Sequence, residues 1–79
     1  MHAEYLVRMA NQIGDFFVPD KGESEAPAAI ANHMQRFWER SMRTQLVAHW
    51  NAGGAGLSPA AFKAAEIVAA HLAATTPKA

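Results

Sequence analysis

Apolar residues recur every three or four positions through most of the chain. From Ala3 to Phe17, the residues Leu6, Met9, Ile13 and Phe16 or Phe17 fall on one stripe of a helix. A second stripe holds Ile30, Met34, Phe37 or Trp38, Met42, Leu46 and His49 or Trp50. It predicts an unbroken helix over 26–50, roughly 36 Å long at 1.5 Å per residue. A third helix, over 59–74, carries Phe62, Ala65, Val68 or Ala69, and Leu72 on one side. Alanine is abundant and β-branched residues are few, which favours helix throughout. The expectation is an all-α fold, a small three-helix domain spanning 1–79 with a long central helix.

Punctuation between the stripes agrees. "VPDKGESEAP" combines prolines, glycine and charges and reads as a loop over 18–25. Pro27 suits a first helical turn, and Glu23 and Glu25 favour the positive end of the helix dipole. "NAGGAG" opens a glycine-rich turn over 51–58, where Gly53 or Gly54 can adopt the left-handed conformation that ends a helix. Ser58 can cap the next helix and Pro59 fits its first position. The tail, 75–79, is expected to fray. Gly14 lies mid-helix, where it costs about 1 kcal/mol relative to alanine. It is either tolerated there or needed for the close approach of another backbone.

Length and charge narrow the function classes. A chain of 79 residues makes one small domain. A core of this size rarely supplies more than about 3–5 kcal/mol without a staple. No cysteine is present, so neither a disulfide nor a Cys-ligated metal centre serves as one. A partner protein remains a source of stability. Seven Lys+Arg balance seven Asp+Glu, which weakens a generic nucleic-acid reading. The opening residues show no signal peptide, and no window approaches the ~20 apolar residues of a membrane span. The expected location is cytoplasmic, with no membrane partner.

Candidate chemistry points to binding, not to turnover. Three short helices have little room for Phe37, Trp38 and Trp50 beside Phe16, Phe17 and Phe62. At least one of Phe37, Trp38 and Trp50 is expected to face a partner, since large exposed aromatics anchor interfaces. Adjacent residues lie about 100° apart on a helix, and which of Phe37 and Trp38 turns inward stays open. Arg36, Arg40 and Arg43 share one face of a continuous helix, with His33 one turn before. Glu39, four residues before Arg43, supports an ion pair worth only about 0.2–0.5 kcal/mol. The arginine row is either a solvated face or a set of donors for another protein. Asn11 and Gln12 either face solvent or hydrogen-bond across an interface beside Met9 and Phe16. The four histidines form no paired ligand spacing, and no nucleophile–base spacing or phosphate loop is visible. No cofactor and no catalytic role is expected of this chain.

"MANQIGDFF" (Met9–Phe17), then "IANHMQRFWERSMR" (Ile30–Arg43), then a glycine-rich stop before "LSP" resembles the delta subunit of soluble NAD-dependent formate dehydrogenase. The resemblance runs from Tyr5 to Pro59. It implies a cytoplasmic complex that oxidises formate to carbon dioxide and reduces NAD. In it, an alpha subunit carries a bis-molybdopterin guanine dinucleotide molybdenum or tungsten centre and iron–sulfur clusters. Beta and gamma subunits carry flavin and further clusters. The delta subunit is implied to be a non-catalytic accessory chain that binds the alpha subunit, and through it beta and gamma. It would aid assembly, cofactor insertion or stability. One departure stands out. The family tends to follow Phe-Trp-acid with Pro-Arg-Met-Arg, whereas Arg40-Ser41-Met42-Arg43 follow Glu39 here. Without that proline the central helix is expected to run straighter. The expected partner interface comprises Asn11, Gln12, Phe16, His33, Arg36, Phe37, Trp38, Arg40, Arg43 and Trp50. The alternative is a stand-alone helical adaptor or small nucleic-acid-binding protein that uses the arginine row.

Overall fold

The computed structural model describes residues 3–75. They form four helices in chain order: α1 (Ala3–Lys21), α2 (Ala26–Phe37), α3 (Arg40–Asn51) and α4 (Pro59–Thr75). The all-α expectation holds, but the long central helix is two helices. The expected frayed tail lies outside the described residues, apart from Thr75 at the end of α4.

The break falls at Trp38 and Glu39, both extended, with ψ of 141° and 155°. The Trp38 N–H closes α2 on the Met34 carbonyl at 2.8 Å, and the Glu39 carbonyl accepts the Arg43 N–H at 3.1 Å to open α3. No proline stands at this point, so the expectation of a straighter helix fails for a tertiary reason. Trp38 is only 7% exposed and belongs to the buried cluster, whereas Phe37 is 69% exposed. The break turns the indole into the core and lets α3 fold back across α4 and α1. A straight helix of roughly 36 Å would carry Leu46 past the core instead of into it.

The first loop is also shorter than its composition implies. α1 continues through Pro19 to Lys21. Proline in this last turn forfeits one helical hydrogen bond, to the carbonyl of Asp15 one turn earlier, and Asp15, Pro19 and Asp20 are all exposed. Gly22, with φ of +82°, stops the helix. Its N–H bonds the Val18 carbonyl at 2.8 Å, and its own carbonyl accepts the Ala26 N–H at 2.9 Å. The tight link makes α1 and α2 a helical hairpin.

Local chemistry at the later boundaries is as the sequence reads. The Gly54 N–H reaches the His49 carbonyl at 2.9 Å and the Gly53 N–H the Trp50 carbonyl at 3.0 Å, the paired bonds of a Schellman stop on α3. The Ser58 hydroxyl accepts the Ala61 N–H at 3.3 Å, with Pro59 in the first position of α4. Along α4, Ala60, Ala61, Ala64, Ala65, Val68 and Leu72 are buried. Small side chains on this face bring α4 close to α2, its most extensive partner. Leu6, Ile30, Met34, Leu46 and Val68 are the largest fully buried side chains, and among the described residues no polar or charged residue is buried as a whole.

Candidate functional site

A core built largely of alanine leaves most of the aromatic surface outside it. Phe16 is 72% exposed and Phe37 69%. They belong to one ladder of rings. Phe16 meets Phe17 edge-on at 5.1 Å between centroids, and Phe17 faces His33 at 6.2 Å. His33 lies 4.8 Å from Phe37, and the Arg36 guanidinium carbon stands 5.9 Å from the Phe37 ring centre. Phe16 and Phe17 come from α1, while His33, Arg36 and Phe37 sit within one turn of each other on α2. The hairpin is what joins the two sets.

Two adjoining depressions run beside this ladder. The first, about 340 Å³, is lined by Met9, Gln12, Ile13, Phe16, Phe17, His33 and Trp38. Buried Trp38 makes its floor. The second, also about 340 Å³, is lined by Phe17, Lys21, Ala29, Asn32, His33, Arg36 and Phe37. Phe17 and His33 are common to both, so the depressions form one groove between α1 and α2. No carboxylate lines either half. Met9, Ile13 and Phe16 follow helical spacing along one wall. The arrangement offers hydrophobic anchorage with hydrogen-bond donors at one end.

Several residues expected at the interface therefore converge. Gln12, Phe16, His33, Arg36 and Phe37 line the groove, with Trp38 beneath them. Asn11 is elsewhere engaged. Its side-chain amide donates to the Gly56 carbonyl at 2.9 Å, and its side-chain oxygen accepts the Ser58 N–H at 2.9 Å. Both ends of the amide thus hold the glycine-rich turn onto α1. The His49 imidazole adds a contact to the Ala55 carbonyl at 2.8 Å.

The arginine row does not survive as one helical face, because the break separates Arg36 on α2 from Arg40 and Arg43 on α3. Arg43 reaches back across the break to donate to the Gln35 side-chain oxygen at 3.2 Å. The Arg40 carbonyl accepts the Thr44 hydroxyl at 2.8 Å. Trp50 is half-buried, packed 6.1 Å from the Phe62 ring, and lines neither half of the groove. Arg43 Nε and Trp50 Nε1 are buried without an acceptor. Neither Arg40 nor Arg43 lines the groove.

By sequence, Met9, Ile13 and either Phe16 or Phe17 fall on the apolar stripe and Lys21 falls in a loop. The structure packs Met9, Ile13 and Phe17 against the core cluster, half-buried, with their outer surfaces along the groove, leaves Phe16 exposed, and puts Lys21 on the last turn of α1. The i, i+4 spacing of Phe17 and Lys21 was the available signal, obscured by Pro19. Among the described residues, no three His, Asp or Glu side chains gather as metal ligands.

A family model described as the NADH-dependent formate dehydrogenase delta subunit, FdsD, matches residues 5–65. No curated protein matches the chain, and no solved structure does. The match takes in all of the groove-lining residues.

Proposed function

The chain belongs to the family of NADH-dependent formate dehydrogenase delta subunits, and on that premise we propose that it is a non-catalytic accessory subunit of the complex. It docks on the large, molybdopterin-containing alpha subunit, and through it joins beta and gamma. Its role is to aid assembly, cofactor insertion or stability. It acts in the cytoplasm as part of that complex. Among the described residues, no helix is long and apolar enough to cross a membrane.

The observation that carries this reading is the aromatic groove, with Phe16 and Phe37 more than two-thirds exposed at its edges. Contiguous apolar surface of this kind marks interaction sites in soluble proteins. Aromatic and arginine side chains are the usual anchors of protein interfaces. An interface of ordinary size buries about 800 Å² on each partner, a large share of the surface of so small a chain. The adaptor or nucleic-acid alternative rested on a continuous arginine face, and with the helix broken it has lost that geometric basis.

The test is a mild pull-down of the tagged chain from its own cells grown with formate, with mass spectrometry and metal analysis. Recovery of the large molybdopterin subunit together with the flavin and iron–sulfur subunits, near equal stoichiometry, is the expected result. Recovery of a metal-free large subunit alone assigns the chain to maturation, before the complex forms. Recovery of nucleic acid or unrelated proteins in place of these subunits contradicts the proposal.

A further inference from the structure

The two halves of the groove differ in chemistry, and the difference constrains what fills it. Toward the start of α1, the walls are Met9, Ile13, Phe16 and Trp38, with Gln12 and His33 as polar members. Toward its end, Lys21 and Arg36 line the second half, with Asn32 beside them and no carboxylate to neutralise them. An occupant that is apolar throughout would leave these two cations desolvated without a counter-charge, which is costly. An occupant with an acid at that end matches them.

Shape narrows the occupant further. The walls are two packed helices whose lining residues repeat every three or four positions, the geometry that receives the apolar face of a third helix. No strand occurs among the described residues, so an extended segment finds no sheet edge to join. A second copy is disfavoured by symmetry. In a two-fold contact of groove on groove, Lys21 and Arg36 of one copy would meet either the same cations or the apolar half of the other, and no carboxylate lines either half to pair them.

Resting on the docking role proposed above, we infer that the groove receives an amphipathic helix of the large subunit. That helix inserts apolar side chains along Met9, Ile13 and Phe16 and sets an Asp or Glu against Lys21 and Arg36. Phe16 and Phe37 close over it from the edges. Electrostatic pairing at this end fixes the direction of the incoming helix and speeds its encounter, while the apolar half supplies most of the affinity.

The experiment uses the full chain co-expressed with the large subunit. A photo-crosslinking residue, p-benzoylphenylalanine, replaces Phe37, and the joined peptides are mapped by mass spectrometry. In parallel, Lys21→Glu and Arg36→Glu are combined and co-purification is measured. Both positions are exposed, and circular dichroism checks that the variant keeps the wild-type fold. The expected result is crosslinking to one helical segment of the large subunit with an acid within a turn of the joined residue. The charge reversal lowers affinity roughly tenfold or more, and Lys at that acid restores it. Crosslinks to a large-subunit segment without an acid, or an unchanged affinity in the double variant, overturn the inference while leaving the docking role intact. Crosslinks between two copies of this chain overturn it in favour of self-association. Failure of the folded wild-type chain to recover the large subunit removes the docking role and the inference together.

Discussion

Truncating Trp38 to alanine removes a side chain that is 7% exposed from a cluster otherwise made of small and medium aliphatic residues. Loss of a buried aromatic costs about 3–5 kcal/mol. That equals the whole margin a core of this size supplies. Trp38→Ala is therefore expected to leave the isolated chain largely unfolded at 25 °C, as read by circular dichroism. Phe37→Ala, at a position 69% exposed, should shift stability by no more than about 0.5 kcal/mol. Similar losses from both would mean that the indole is not the core residue. Two glycines make a second contrast. A Cβ on Gly14 would meet the Ile30 side chain at 3.5 Å, ordinary contact, inside a regular helix. Gly14→Ala should thus raise stability by about 0.5–1 kcal/mol, a few degrees in Tm. Gly54 has φ of +67°, and a Cβ there would lie 2.6 Å from the Phe62 ring. Gly54→Ala should cost about 2 kcal/mol or more, combining the left-handed penalty with displacement of the ring. Thermal unfolding of both variants checks the two signs.

At the scale of elements, the telling feature is a helix break without a helix breaker. Arg40 is the first residue of α3, and Glu39 before it has φ of −67° and ψ of 155°. That is the conformation a residue preceding proline prefers. A proline at position 40 would stand where the first turn accepts it best. Arg40→Pro is accordingly predicted to fold, with stability within about 1 kcal/mol of the wild type by urea denaturation. Interior to an unbroken helix the same change would cost about 3 kcal/mol or more. Such a loss would contradict the break. Boundaries set by local chemistry were legible in the sequence: Ser58 and Pro59 open α4, and Gly53 and Gly54 close α3. The break was not legible, because it is decided by where Trp38 finds a core, and that depends on helices distant in sequence. The extension of α1 through Pro19 was hidden for a related reason. A proline in an exposed last turn costs little, and Gly22 supplies the actual stop.

For the molecule as a whole, the candidate site was half legible. Phe16, His33, Arg36 and Phe37 stand out in the sequence as surplus apolar and cationic groups, and the hairpin of α1 and α2 brings them together. Asn11 carries the same outward polarity in the sequence, yet it bonds residues 45 and 47 positions away. Nothing local announces such a contact. Trp50 differs: it lies at the end of the apolar stripe by sequence, and the structure packs it half-buried against Phe62 of α4. What remains after the internal contacts are assigned is a small helical fold with an alanine-rich core and an aromatic groove. Binding of a partner to such a fold adds stability in proportion to the logarithm of partner concentration over Kd. The fold and the groove should therefore separate in mutants. The most direct measurement is the affinity of the Phe16→Ala, Phe37→Ala double variant for the large subunit, set beside its own thermal unfolding. Roughly a thirtyfold loss of affinity or more is expected, as for interface anchors, with Tm nearly unchanged. Unchanged affinity in a folded double variant would contradict it and move the docking surface away from the groove.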